Sequence, residues 1–255
     1  MNPFIIKFYL GRIISSFYRV FKINNKDVFR ILTYHSIGDD VPKDVKGLYN
    51  LSEDKFYKQM KYLYDNNYKI CALDNIQKNC ICITFDDGFL NNFTKALPIL
   101  EKFDFDFTVF VSPDLIINNN NNLYMNTSDL INLSNHSNVT IGGHSYNHKG
   151  LGNMSRNEAE MEIKSCKHWL ERLLKKEIIH FSFPFGNYNN ESIELLEKYN
   201  FYTSSTVKFG SNEFDSNLYE LKRTDIFSYD SLNDFISKIE GDWDWLHVIT
   251  SRHKK

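Results

Sequence analysis

The chain has 255 residues, of which 42% are hydrophobic and 15% aromatic, so it can bury a large core and is not a disordered segment. Thirty Lys and Arg residues against 32 Asp and Glu residues give a formal net charge of −2. This balance offers no electrostatic reason to wrap nucleic acid, and none is expected as a partner.

The first predicted element is an amphipathic helix within residues 1–26, which we separate from the domain at 27–255. On a helical wheel its Ile, Leu, Tyr, Val and Phe side chains share one half, while Lys7, Arg12, Arg19 and Lys22 fall on the other. No apolar run reaches the roughly 20 residues of a spanning helix, and no clear signal-peptide pattern is present. The pattern favours peripheral membrane contact through residues 4–22. An ordinary helix packed on the domain, or a degenerate export signal, fits it too.

Residues 27–255 alternate strands with helices. Strands are predicted at 29–35, 80–85, 107–111, 139–142, 178–183 and 201–207, and helices at 52–67, 91–103, 155–176 and 191–200. Ser52 can cap the first of these helices, whose predicted apolar face is Phe56, Met60, Leu63 and Tyr64. Ser155 and Glu158 form a capping box at the start of the helix at 155–176. The strand at 80–85 is apolar on both faces, as in a covered parallel sheet. This alternation indicates an α/β fold with a parallel sheet or barrel.

The four cysteines, Cys71, Cys80, Cys82 and Cys166, include no second thiol pair at metal-ligand spacing. We therefore interpret Cys80 and Cys82 as buried small hydrophobic residues and not as a metal or redox pair. Few cysteines without a disulfide framework favour a reducing compartment.

In a parallel barrel the carboxyl ends of the strands share one rim, where active sites of such folds lie. Polar residues at these ends are Tyr34 and His35, Asp86 and Asp87 in ITFDDGF, His144 and His148 in GGHSYNH, and the segment PFGNY at 184–188. Two His residues at i and i+4 share a face if their segment turns as a helix. With one carboxylate they form a facial set for Zn²⁺ or a similar divalent ion, and the second Asp is free to accept a proton from bound water.

TFDDG (Thr84–Gly88) combined with HSYNH (His144–His148) resembles the first two motifs of the polysaccharide deacetylases, the carbohydrate esterase family 4 or NodB-homology group. The resemblance extends roughly from residue 30 to residue 227. It implies a distorted (β/α) barrel and metal-dependent removal of N-acetyl groups from amino sugars. Carried over by motif position, Asp86 matches the catalytic base, while Asp87, His144 and His148 match the metal ligands.

Two later motifs depart from the family pattern. The third reads FSFPFG (residues 181–186) and lacks the Arg that steadies the base, and DWLH (244–247) is a poor match to the Leu-x-His motif that supplies the acid. LTYHSI (32–37) instead resembles the opening motif of a circularly permuted branch, which contains the poly-β-1,6-N-acetylglucosamine deacetylases and tolerates this third motif. That resemblance implies His35 as the acid. Leu221-Lys222-Arg223 resembles the late basic stretch of the same branch, which implies Arg223 as the residue that orients Asp86. The residues predicted to bind substrate are Tyr34, Pro184, Phe185, Gly186, Tyr188 and Arg223, with the Phe185 N–H as oxyanion donor.

The resulting prediction is a hydrolase of linear amide C–N bonds that uses Zn²⁺, or alternatively Co²⁺, Ni²⁺ or Mn²⁺. It would remove acetyl from an N-acetylated amino sugar in a surface polysaccharide or its lipid-linked precursor. Two alternatives stay open: a deformylase or other C–N hydrolase of a lipid-linked amino sugar, and a catalytically silent carbohydrate-binding barrel. The N-terminal helix and the thiols favour the cytoplasmic face of the inner membrane over the cytoplasm or export.

Overall fold

The described part of the chain, residues 3–22, 27–38, 47–119 and 122–246 of a computed structural model, alternates strands with helices. The strands are β1 Val28–Tyr34, β2 Ser36–Ile37, β3 Asn50–Leu51, β4 Lys69–Ile70, β5 Cys80–Phe85, β6 Phe107–Val111, β7 Val139–Gly143, β8 His180–Ser182, β9 Thr203–Phe209, β10 Asn212–Glu213 and β11 Leu221–Asp225. The helices are α1 Pro3–Phe21, α2 Glu53–Asp65, α3 Leu97–Lys102, α4 Pro113–Ile117, α5 Thr127–Ser134, α6 Arg156–Leu174, α7 Asn190–Lys198 and α8 Leu232–Ile239. A π-helical turn, Asn92–Ala96, leads into α3, and a 3₁₀ turn, Pro184–Gly186, follows β8.

Seven parallel strands close into a barrel in the order β1, β11, β9, β8, β7, β6, β5. Pairing between β1 and β5, from Arg30 with Ile81 to Tyr34 with Phe85, completes the ring. The short β4 extends the sheet from β5, and β10 pairs antiparallel with β1. The predicted (β/α) barrel with a preceding N-terminal helix is confirmed.

Strand β5 shows how the sequence fills both sides of the barrel wall. Alternate residues on a strand point to opposite faces. Accordingly Ile83 and Phe85 join the large core beneath the helices, whereas Cys80 and Cys82 join a smaller cluster that includes Phe29. All six residues of β5 are buried, and Cys80 and Cys82 are free and buried, as predicted. Cys71 and Cys166 are free and buried as well.

Side-chain caps fix the starts of the surrounding helices. The Ser52 side chain accepts a hydrogen bond from the Lys55 N–H at the start of α2, and a complete capping box at Ser155 and Glu158 opens α6, as the sequence indicates. One residue assigned to the apolar face of α2 is misplaced, because Tyr64 is exposed and its ring lies against the edge of the core at Phe103.

Helix α1 packs through its own polar side on α8 and on the turn that follows α8. Arg12 forms an ion pair with Asp234 at 2.5 Å, and Arg19 and Lys22 each lie 2.6 Å from a carboxylate oxygen of Asp242. The helix is therefore attached to the barrel by charges. No helix in the described residues is long and apolar enough to cross a membrane.

The two C-terminal tryptophans support α1. The Trp245 indole N–H donates to the Ser15 hydroxyl at 2.9 Å. Trp243 is buried, and a Cβ atom on Gly11 would come within 2.6 Å of its ring, so the helix approaches the indole where it has no side chain.

Candidate active site

Two adjacent carboxylates occupy the rim at the end of β5. Neighbouring residues of a strand point to opposite faces, so both can serve one site only if the chain turns between them. It does: Asp87 and Gly88 have φ angles of 75° each, in the left-handed region. Asp86 therefore points into the barrel mouth while Asp87 faces the neighbouring loop.

Asp86 is 4% exposed and forms a bidentate ion pair with Arg223 of β11. The two terminal guanidinium nitrogens donate to its two carboxylate oxygens at 2.7 Å each, and the Arg223 Nε donates to the Thr206 carbonyl. Burial raises the pKa of Asp86, but the charges of Arg223 and His144 and the Arg223 hydrogen bonds outweigh it and leave the pKa below its usual value. Asp86 is thus an ionised carboxylate held in a fixed orientation.

Asp87, His144 and His148 form a second cluster beside this pair. The Asp87 Oδ1 atom lies 3.4 Å from the His144 Nε2 and 3.0 Å from the His148 Nε2. One ligand atom from each residue lies within 4.8 Å of the others, and among the described residues this is the one such group of three or more. The His144 Nδ1 atom is 2.7 Å from the Ser182 carbonyl, which directs the opposite ring nitrogen toward Asp87.

The charges of this cluster fit a divalent cation. Burial raises the pKa of Asp87, but hydrogen bonds and charge from the two imidazoles hold it well below the usual range. One carboxylate and two imidazole nitrogens match the ligand types of a catalytic zinc site, which keeps further positions open. Asp87 and His148 are only half-buried, so a substrate can reach them.

The loop that carries both histidines does not turn as a helix. Ser145 and His148 both have φ angles of 53°, and this tight loop brings the two imidazole centroids to 5.1 Å. Glu162 of α6 holds the loop by accepting hydrogen bonds from the Asn147 backbone N–H at 2.8 Å and its side-chain amide at 2.7 Å.

His35 follows β1 on the same rim. Its ring centroid lies 4.3 Å from that of Tyr49, and its buried Nδ1 has no hydrogen-bond partner among the described residues. Asp225 reaches this end of β1 because it pairs in register with Thr33. Burial raises the pKa of Asp225, and the charges of Arg223 and His35 only partly offset this.

The segment Pro184–Gly186 borders the Asp87–His144–His148 cluster. Phe185 is 70% exposed, has a φ of 59°, and places its ring centroid 4.9 Å from that of His148. Gly186 is required after it, because φ is 61° and a Cβ atom would lie 2.2 Å from Val207. Pro184 is buried beneath this turn.

Tyr188, the last residue of this predicted substrate site, is half-buried on the same side. Its ring stacks on Phe183 at 4.7 Å, and its hydroxyl donates to Glu220 at 2.5 Å. One face of the Tyr188 ring is therefore covered by Phe183 and is not available to a sugar.

The structure corrects two of the predicted substrate-binding residues. Tyr34 is 1% exposed and donates to Gln59 at 2.8 Å, so it belongs to the outer core and offers no platform for a sugar. It sits on the opposite face of its strand from His35. Arg223 is equally buried and is occupied by Asp86, which is the role implied for it by the late basic stretch and not a direct contact with substrate.

Sequence reasoning missed three residues of the site: Ser182, Glu162 and Asp225. The pattern Arg223-x-Asp225 was visible as two charges on one strand face, and it could have placed Asp225 beside His35. Ser182 acts through its backbone carbonyl, and Glu162 through tertiary packing of α6, so neither leaves a sequence signal. His247 of DWLH lies outside the described residues.

The fold and the rim together define a class of protein, a (β/α) barrel whose rim carries a paired Asp–Arg and an adjacent Asp/His/His cluster. A family model described as polysaccharide deacetylase matches residues 74–204, which is half of the chain. The chain belongs to the polysaccharide deacetylase family, whose members are hydrolases that act on N-acetyl groups of carbohydrates.

Individual relatives agree with this assignment. YxkH of Bacillus subtilis is 27% identical over 207 residues, which cover 76% of this chain and 69% of YxkH. The deacetylase PplD of Streptococcus pyogenes, solved in complex with acetate, superposes with a TM-score of 0.75 at 21% identity and covers 84% of this chain and 99% of its own. IcaB of Ammonifex degensii gives 0.73 at 18% identity, with 84% and 98% covered. The two solved structures establish the likeness of fold.

Proposed function

We propose that this chain is a metal-dependent N-deacetylase that removes acetyl from an N-acetylated amino sugar of a surface polysaccharide or of its lipid-linked precursor. The observation that carries the proposal is the division of labour between the two adjacent carboxylates. Asp87 meets two imidazoles in a cluster suited to a cation, whereas Asp86 meets Arg223 and remains outside that cluster. A binding module has no need for a charged base held beside a cation site.

The residues of the site provide the groups that amide hydrolysis requires. A divalent ion held by Asp87, His144 and His148 would polarise the acetyl carbonyl and make a bound water acidic near neutral pH. Asp86 accepts the proton of the attacking water as general base, and Arg223 keeps that carboxylate ionised and aimed. The Phe185 N–H, on the turn beside His148, stabilises the developing oxyanion.

His35 completes the proposed reaction as the general acid. An amine leaves an amide only when it is protonated, and the His35 imidazole lies on the rim with a buried ring nitrogen that has no partner among the described residues. Asp225 reaches the same end of β1 and interacts electrostatically with the His35 imidazole. His35 therefore delivers a proton to the sugar nitrogen as the C–N bond breaks.

Replacing Arg223 by Met is expected to move the acidic limb of the pH profile of kcat/KM upward. Asp86 now has a depressed pKa, so the parent loses its base only as the pH falls through that low value. Without Arg223, burial dominates and the pKa rises, so activity is lost at a higher pH. The substitution also breaks a buried ion pair, which lowers the free energy of unfolding by about 3–5 kcal/mol. Lys222→Met is the matched control, and an acidic limb that coincides in both variants would contradict the role of Arg223.

Replacing Glu162 by Gln is expected to weaken zinc binding by about tenfold or more, because the Asn147 contacts that fix the histidine loop are impaired. The measurement is competition with a chelating dye. Glu160→Gln makes the same change two residues earlier on α6, where the carboxylate binds Lys198 and Tyr199 instead. Equal affinity in the Glu162 variant, the Glu160 variant and the parent would show that the loop needs no such anchor.

The proposed activity is tested by acetate release from three substrates: N-acetylglucosamine oligomers, nucleotide-linked N-acetylhexosamines, and a lipid-linked N-acetylhexosamine in detergent. Acetate is also the ligand in the solved PplD structure. Release from oligomers supports a polymer substrate, and release from the lipid-linked sugar alone supports a precursor. Formate without acetate would overturn the deacetylase in favour of a deformylase, and no acyl product from any substrate would favour a silent barrel.

A further inference from the structure

The outward face of α1 is a continuous apolar strip. Its large side chains recur at helical spacing and are all exposed: Tyr9, Leu10, Ile13, Ile14, Phe17, Val20 and Phe21. The exposed fraction reaches 67% at Phe17 and 79% at Phe21. A contiguous patch of this kind marks a surface that meets another apolar phase.

The polarity of α1 is inverted relative to an ordinary surface helix. Such a helix turns its apolar stripe to the core and its charges to water. Among the side chains of this helix whose burial is described, Tyr9 onward, the buried ones are the small residues Gly11 and Ser15, and Arg12, Arg19 and Lys22 pair with Asp234 and Asp242 of the domain. The attachment to the barrel thus uses the polar side and leaves the apolar strip directed away from it.

A lipid bilayer fits this strip better than a second copy of the chain. From Tyr9 to Phe21 the strip is about 18 Å long and about 10 Å wide. A single helix that lies flat can bury an apolar face of this kind about 5–10 Å into the interfacial region of a bilayer. Residues 9–22 contain no Asp or Glu. Two copies of the helix therefore have no opposite charges that would align them as a dimer. For the same reason the helix carries no negative charge that anionic headgroups would repel.

We propose that the apolar strip of α1, residues 9–21, inserts into the interfacial region of a lipid bilayer while the helix stays attached to the domain. Because Arg12, Arg19 and Lys22 pair with Asp234 and Asp242, two of their three charges are offset. Lipid affinity therefore comes mainly from apolar burial and not from attraction to anionic headgroups. This revises the sequence-based picture of a basic helix, in which those cations would contact the membrane.

The position of α1 also places the active site relative to the bilayer. Arg12 pairs with Asp234 in the first turn of α8, and Lys22 donates to the Glu240 carbonyl just past its end, so the two helices run in the same direction. Since α8 returns from the rim after β11, the bilayer contact lies along the side of the barrel. The rim then opens near the membrane surface, where a membrane-borne glycan would be found. This last point alone rests on the proposed deacetylase function.

The test is co-sedimentation of the full chain with vesicles of phosphatidylcholine alone and of phosphatidylcholine mixed with phosphatidylglycerol, at about 0.1 M and about 1 M salt, between which charge screening becomes severe. Binding to both vesicle types is expected, with partition coefficients that change less than about threefold with salt or lipid charge. Phe17→Glu is expected to lower the partition coefficient at least about tenfold. Ser16→Glu places the same charge at the edge of the strip, beside Arg12 and Arg19, and is expected to bind like the parent.

Several results would overturn the proposal. Binding only to vesicles with phosphatidylglycerol, lost at high salt, would show that the cations and not the strip contact lipid. Equal loss in the Phe17 and Ser16 variants would remove the strip as the contact. A concentration-dependent dimer in analytical ultracentrifugation, abolished by Phe17→Glu, without vesicle binding by the parent, would assign the strip to a second copy. None of these readouts requires catalytic activity, so they are independent of the deacetylase assay.

Discussion

Replacing Asp86 by Asn is expected to reduce kcat for acetate release at least about 100-fold while leaving zinc stoichiometry unchanged. The amide keeps the size of the carboxylate but cannot accept the proton of the attacking water. Asp86 makes its short contacts with Arg223 and lies outside the group formed by Asp87 and the two histidines, so its loss removes no proposed ligand. The measurement is kcat together with metal content by atomic emission.

Two controls accompany the Asp86 variant. The substitution leaves the buried Arg223 charge without its carboxylate partner, so thermal unfolding is recorded to separate lost catalysis from lost folding. Asp106→Asn makes the same change at the start of β6, at the opposite end of the barrel, and is expected to retain full activity. Turnover of the Asp86 variant equal to that of the parent would remove Asp86 as the base.

Replacing His144 by Ala is expected to abolish both zinc binding and turnover. His144 is buried, its Nδ1 is fixed by the Ser182 carbonyl, and its other ring nitrogen faces Asp87, so it is the most rigid member of the cluster. Losing one of three protein ligands costs more than the about 10- to 100-fold in affinity that follows from losing an outer partner. Zinc affinity by dye competition and acetate release are measured on the same preparation.

The matched control is His136→Ala, since His136 binds Glu101 at the surface far from the rim in sequence and topology. It is expected to keep zinc and activity. A His144 variant that binds zinc as tightly as the parent would show that the cation site lies elsewhere. The contrast with Asp86→Asn is the informative one, because a base and a ligand are separated only when one variant keeps the metal and the other loses it.

Local patterns predicted the elements whose burial is uniform. Strand β5 was predicted with its correct bounds because it is apolar on both faces, and the capping box at Ser155 fixed the start of α6. Helix α5 and strand β11 were missed. The first is short, and the second carries Lys222, Arg223 and Asp225, whose charges hide a strand that is buried by closure of the barrel.

The site was predictable where it rests on sequence motifs and unpredictable where it rests on tertiary contacts. The TFDDG and HSYNH motifs brought together Asp86, Asp87, His144 and His148 as expected. The error at Tyr34 arose because a residue at a strand end faces either the mouth or the outer core, and only the pairing of β1 with β5 decides which. Likewise the helical wheel of α1 separated its apolar and basic faces. The ion pairs with Asp234 and Asp242 that turn the basic face toward the domain are tertiary contacts and could not be predicted from it.

The central claim is that one metal ion at the rim, together with Asp86 as the general base, enables removal of acetyl from an amino sugar. The most direct measurement is acetate release by chelator-stripped protein during stepwise addition of Zn²⁺, using the best substrate of the three compared. We expect no release without metal and a linear rise that ends at one ion per chain, as the single cluster among the described residues requires. Full activity of the stripped protein, with no response to added Zn²⁺, Co²⁺, Ni²⁺ or Mn²⁺, would contradict the account.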